Sequence, residues 1–168
     1  MFDCESVDVD FLDTAPARLD VAVNVGLPPS EVFAALAHNP AAWGEFYPGF
    51  DRRGRYQTPA PHGVGSRRTA RFARVKFEET ILAWDEGARW AFRVDSTQVP
   101  LFDACVEDYH FHTDGSEATL VRWTLAYKPR LAFKLARPLL PRFLTFALTR
   151  AGHNLENGRW FSTPTPDS

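Results

Sequence analysis

Apolar and polar side chains alternate from residue 18 to 27, with Leu19, Val21, Val23 and Val25 on one side. A period of two predicts a strand with one buried face. Pro28-Pro29 stops it, and Pro29 suits the first turn of a helix, where the missing N–H loses no partner. Glu31 sits favourably near that helix N-terminus. Val32, Phe33 and Leu36 mark the buried face of a short helix that ends at His38-Asn39-Pro40. A second short helix over 41–46 puts Trp43 and Phe46 on one face and breaks at Tyr47-Pro48-Gly49.

The centre of the chain is a run of strand patterns separated by turn residues: 50–56, 67–72, 75–84, 89–95, 102–113 and 118–127. A Pro/Gly-rich loop fills 58–65, and Asp114-Gly115 is a hairpin signal. No helical pattern separates these strands, so the sheet is predicted to be antiparallel. One long helix closes the chain at 139–157, roughly 28 Å at 1.5 Å per residue. Leu140, Leu144, Ala147, Ala151 and Leu155 form one apolar stripe and Leu139, Phe143 and Phe146 an adjacent one. Both stripes are expected to be committed to the interior, leaving no apolar face for a membrane. The expected organisation is an acidic tail or edge segment over 1–17, one domain over 18–160, and a loose tail over 161–168.

With 168 residues, 45% hydrophobic and 24% charged, the chain fits one globular domain. The net charge of -2 gives no field for nucleic acid. Cys4 and Cys105 are too differently placed for a structural bridge, and free thiols suit a reducing compartment. No Cys/His cluster has zinc spacing, and no cofactor fingerprint is present. The acidic N-terminus does not resemble a signal peptide, and no run of about 18 apolar residues occurs. The expectation is a cytoplasmic protein, monomer or homodimer, with no stable membrane insertion. Charge is uneven: residues 1–20 carry six acids against Arg18 alone, and residues 128–160 carry seven Lys/Arg against Glu156 alone. Both ends can be solvated, can attract each other, or the basic end can meet an anionic surface.

The 23 aromatic residues are the main candidate chemistry. Trp43, Phe46, Phe50, Phe72, Trp90, Phe92, Tyr109, Phe111, Trp123, Phe143 and Phe146 fall on elements facing the interior or its rim. Each can be plain core; together they suit a flat or extended apolar ligand. Among Arg67, Arg68, Arg71 and Arg74, an inward arginine could hold an oxyanion of such a ligand, with Arg71 the chosen candidate. Asp108, His110 and His112 share one strand face, which is a polar surface row or a set of proton carriers; no metal is expected there, because no fourth ligand is visible. Glu107 shares a face with Tyr109 and Phe111 and becomes the more interesting acid if that face points inward.

Three stretches carry a family resemblance. Pro29-Ser-Glu-Val-Phe-Ala-Ala-Leu followed by Asn39-Pro-Ala-Ala-Trp43 is one. Phe77-Glu-Glu-Thr-Ile-Leu-Ala-Trp-Asp85 followed by Arg89-Trp-Ala-Phe-Arg93 is the second, and Leu120-Val-Arg-Trp-Thr-Leu-Ala-Tyr127 leading into the Pro-containing helix is the third. In this order they resemble the START-like, or SRPBCC, superfamily and its polyketide cyclase/dehydrase and lipid transport branch. The resemblance implies an α+β helix-grip fold: a curved seven-stranded antiparallel sheet around the C-terminal helix, with two short helices after the first strand and a cavity between. It implies binding of a small hydrophobic molecule (aromatic, polyketide-like or lipid) by a carrier or sensor. The alternatives are a cyclase/dehydratase-type enzyme, or lipid transfer at a membrane surface. In aromatase/cyclase relatives an Arg on the 67–72 strand and a Tyr after the second-helix Trp guide ring closure. Here Phe50 takes the Tyr position and Tyr47 is out of register, which weakens the cyclase expectation.

Overall fold

The structure is a computed structural model that describes residues 1–113, 115, 117–131, 133 and 138–158. Alternation becomes a ladder in β2 (Ala17–Val25), where Val21, Val23 and Val25 are buried and the residues between them face water. The following segments are α2 (Pro29–Phe33), α3 (Trp43–Phe46), β3 (Arg55–Tyr56), β4 (Arg67–Phe72), β5 (Val75–Asp85), β6 (Arg89–Thr97), β7 (Phe102–His112), β8 (Thr119–Pro129) and α4 (Leu140–Glu156). Before β2 stand β1 (Phe2–Asp3) and α1 (Phe11–Thr14). The sheet runs β2-β8-β7-β6-β5-β4-β3, antiparallel at every pairing, and β1 adds to β6 through Phe2 opposite Thr97. This is the expected curved seven-stranded sheet with one short extra strand. The β5–β6 pairing is irregular at two places, with Asp95 of β6 extra opposite Glu78/Glu79 and Leu82 of β5 extra between Ile81 and Ala83, and such inserted residues bend and twist a strand.

Helix α4 lies against β2. Its Leu144, Ala147, Leu148, Ala151 and Leu155 are buried. The contact is close at Gly152, where an added Cβ would stand 2.9 Å from Val25. Two polar ties fix the C-terminal half: the buried Asn154 amide donates to the Phe46 carbonyl at 2.8 Å, and the Gly26 N–H donates to Glu156 at 2.6 Å. The N-terminal half of α4 has no such ties among the described residues, and this leaves space between it and the sheet.

Three expectations change in detail. The 50–56 strand shrinks to β3 plus a lone bridge from Phe50 to Phe72, because Asp51 accepts from the Arg53 N–H at 2.9 Å and turns the chain. The first helix continues past Phe33 as a wider turn, Ala34–His38. The second begins as a tight turn, Pro40–Ala42, in which the Asn39 side chain accepts from Ala41 N–H. The acidic and basic ends meet at Glu5 and Lys128, 2.7 Å apart, and the Arg130 guanidinium donates to the Asp3 carbonyl. The Glu5–Lys128 pair is exposed and contributes little. Asp114, Lys134, Arg137, Arg159 and the 161–168 tail lie outside the described residues.

The β4–β5 hairpin turns through Ala73 and Arg74, with φ of 48° and 69°. Left-handed backbone at two successive non-glycine residues costs about 1–2 kcal/mol each, and two-residue turns of this kind favour Asn-Gly. The double substitution Ala73→Asn/Arg74→Gly is therefore expected to raise stability by about 1–2 kcal/mol. Urea denaturation should show a higher midpoint with unchanged slope; an unchanged or lower midpoint contradicts the assignment.

Candidate functional site

Between the sheet and the N-terminal half of α4 lies a cavity of about 310 Å³. Leu140, Phe143, Leu144 and Ala147 of α4 form one wall, and Phe77, Val94 and Leu125 of the sheet form part of another. Phe50, Phe72 and Ala73 stand on one side. The Phe72 and Phe143 rings meet there, 5.8 Å between centroids. Gly49 allows this arrangement: its φ is +91°, and a Cβ there would fall 2.3 Å from the Phe72 ring.

The polar end of the cavity follows from strand parity. Glu107 and Tyr109 share the inner face of β7, and their direct neighbours across the ladder are Leu125 and Trp123 of β8. The Tyr109 and Trp123 rings stack at 5.4 Å, 9° apart. The Tyr109 hydroxyl donates to Glu107 Oε2 at 3.1 Å. Tyr47, stacked on Trp43, brings a buried hydroxyl beside Tyr109 without a well-formed hydrogen bond. Burial pushes the Tyr47 and Tyr109 hydroxyls up, so both stay neutral.

Beside them is a buried ion pair. Arg68 on β4 stands opposite Glu79 on β5, with Arg68 Nε donating to Glu79 Oε2 at 2.5 Å. Arg68 is 0% exposed. Its two terminal nitrogens make no hydrogen bond; the guanidinium instead lies against the rings of Trp43, Trp90 and Phe92 at 4.8, 4.4 and 4.5 Å. Three aromatic faces replace part of the lost hydration by cation–π attraction.

Among the described residues Glu107 has no such counterion of its own. Burial, then the nearby Glu79 charge, push its carboxyl up to about 8, against the pull of Arg68, Tyr109 and Trp123. The acid is therefore mostly neutral near neutral pH. An unfolded glutamate ionises near about 4.3. Between that pH and about 8 the folded state holds the extra proton, so this contribution to stability is full in acid and is lost as the pH rises.

Of the sequence candidates, Phe50, Phe72, Tyr109, Trp123 and Phe143 line the cavity. Trp43, Trp90 and Phe92 do not; they are buried behind its polar end, around Arg68. Phe46 and Phe111 are core, Phe111 packing edge-on against Phe33 at 5.6 Å. Arg71 points the other way, 3.3 Å from Asp51, because Arg68 and Phe72 hold the inward parity of β4. The expected commitment of both α4 stripes also fails. Leu139 and Phe146 are 70% and 63% exposed, because the buried stripe already covers the contact with β2. Asp108 faces outward and binds Arg89 at 3.0 Å and His110 at 3.1 Å. Among the described residues no three such side chains are grouped to hold a metal. Tyr47, Glu79 and Arg68 were missed as site residues; the pairing of Arg68 with Glu79 across a two-residue hairpin was the available signal.

This architecture has many solved counterparts. A START superfamily protein from Mycobacterium smegmatis is similar at a TM-score of 0.65, with 13% identity over 87% of this chain and 99% of the other. The Zhui aromatase/cyclase from a Streptomyces species gives 0.58, with 14% identity over 86% and 92%. A major latex-like protein from Panax ginseng gives 0.63, with 16% identity over 85% and 97%. At these identities the likeness shows the fold. An uncharacterized protein of Mycobacterium tuberculosis is 29% identical over 160 residues, 92% of both chains. The family model described as polyketide cyclase/dehydrase and lipid transport matches residues 16–157. The chain belongs to this family. Within this polyketide cyclase/dehydrase and lipid transport member, no described helix is long and apolar enough to cross a membrane.

The ion pair sets a measurable demand. Arg68→Met leaves Glu79 buried without its partner and is expected to destabilise by about 3–5 kcal/mol. Arg68→Met/Glu79→Leu removes both charges and should recover most of that loss in urea denaturation. A single variant as stable as wild type, or a double variant no better than the single, would contradict the pairing.

Proposed function

We propose that this chain binds a small, largely apolar molecule in the α4 cavity, as a carrier or sensor. The observation that carries this is the apolar-walled space of about 310 Å³ with Glu107 and Tyr109 in its lining. Its size lies at the low end of ligand pockets, roughly 300–1,000 Å³. Apolar walls supply affinity by area, and the few polar groups orient the guest. Cys4 and Cys105, both free, support a cytoplasmic setting. The small net charge of -2 supports a small-molecule rather than a nucleic-acid partner.

One observation favours a second reading, acid–base turnover of the guest in the manner of a cyclase or dehydratase. A carboxyl near pH 8 is poised to give or take a proton at working pH, and Glu107 faces the cavity. The loss of a tyrosine at position 50 is partly offset, since Tyr47 also lines the space.

Both readings need the cavity to fill. A naphthyl ketone fluorophore, whose emission shifts blue in apolar surroundings, should bind saturably to the wild-type protein. Ala147→Phe should occupy the space and weaken that binding by about tenfold or more, while thermal unfolding remains cooperative. Absence of saturable binding to wild type, or binding unchanged in the filled variant, would overturn the proposal.

A further inference from the structure

Resting on the proposed cavity function, we infer that the polar end of the cavity selects the charge state of its guest: it takes a neutral hydrogen-bond acceptor, a ketone-type carbonyl, and excludes carboxylates. The charge inventory leads there. Glu79 and Glu107 both line the cavity, and no Lys, Arg or His does among the described residues. Arg68 is the nearby cation, but it does not line the cavity: Nε binds Glu79, and the rest of the fully buried guanidinium is packed about by three aromatic rings. Arg71 and Arg130 are turned to Asp51 and Asp103. A guest carboxylate would lose its hydration, find no free cation among the described residues and face two acids. Burying a charge without a partner is strongly unfavourable.

A carbonyl meets the opposite situation. Around Glu107 stand Tyr109 and Cys105 from β7, Trp123 from β8, Phe92 opposite it on β6, Glu79 and Arg68 from β5 and β4, and Tyr47 after α3, while α4 adds only the apolar Leu140, Phe143, Leu144 and Ala147 to the cavity. Tyr109 donates to Oε2, and the Trp123 indole N–H is also turned toward this carboxyl. A protonated carboxyl that accepts on one oxygen still carries its own O–H to donate. The Glu107 proton therefore goes to the guest oxygen. The Tyr47 hydroxyl, sealed in the same wall, is a second donor within the lining. Because the competent form is the neutral one, guest affinity falls as the pH passes about 8, and a bound guest holds the proton more tightly.

The test compares three molecules of one shape on the wild-type protein: methyl naphthyl ketone, naphthoate and naphthylethylammonium, each displacing the fluorescent naphthyl ketone. Near pH 6, about two units below the Glu107 midpoint of about 8, the ketone should bind about 30-fold or more tighter than naphthoate, the worth of one hydrogen bond to a charged group left unmade. Ketone affinity should decline between about pH 7 and pH 9. Glu107→Gln keeps an N–H donor but cannot ionise, so it should retain ketone binding with a flat pH profile. Naphthoate binding equal to the ketone, ammonium binding tighter than the ketone, or the same pH decline in Glu107→Gln would each overturn the charge selection while leaving the cavity function standing. Failure of all three molecules to displace the fluorophore would instead remove the cavity function and the selection with it. The ligand panel uses the unmodified chain, so it decides the matter even if the variant does not fold.

Discussion

Two acids and one cation lie together beside an apolar cavity, and the arginine is placed where water cannot reach it. Arg68 is tolerable there because Glu79 stands directly across the hairpin and three aromatic rings surround the guanidinium. Glu107, a third charge-bearing group in the same volume, has no counterion left among the described residues. The unequal arithmetic makes Glu107 neutral and gives the cavity a hydrogen-bonding end rather than an ionic one. Trp43, Trp90 and Phe92 thus contribute to the site without lining it. They hold the arginine in place, and the arginine holds Glu79.

Helix α4 explains why there is a cavity at all. Its C-terminal half is drawn against β2 by Gly152 and tied by Asn154 and Glu156, so it cannot also close on the far strands of a bent sheet. The space left under its N-terminal half is where Leu140, Phe143 and Leu144 face the sheet. The same one-sided packing leaves Leu139 and Phe146 in solvent. Family membership adds the same architecture, in which carriers and enzymes share one frame, so the function must be read from the groups inside the cavity.

Much of this was legible in the residues. Period-two alternation at 18–27 and 89–95 and the turn residues between the other runs located every long strand, and β4 was placed to the residue. The same alternation put Glu107 with Tyr109 and against His110, which is how the inner acid could be distinguished from the outer polar row. Parity alone did not choose between Arg68 and Arg71, since which face of β4 looks inward depends on its pairing with β5. Trp90 and Phe92 were assigned to the right face but the wrong role, because sheet curvature decides whether an inward ring meets the cavity or the Arg68 side chain. Tyr47 follows no period; a loop residue reaches the site through the turn at Pro48-Gly49, and a turn's direction is set by packing. The exposure of Phe146 depends on which stripe of α4 meets the sheet, which spacing along one helix does not contain.

The most direct measurement is the titration of Glu107 itself. With glutamate labelled at the side-chain carboxyl carbon, nuclear magnetic resonance follows each carboxyl through its own ionisation, and Glu107→Gln identifies the signal. A midpoint near 8 is the result predicted for a buried acid without a free counterion. A midpoint in the ordinary carboxylate range, near about 4, would mean that Glu107 carries a charge in the folded protein, and the picture of a neutral hydrogen-bonding cavity would be wrong.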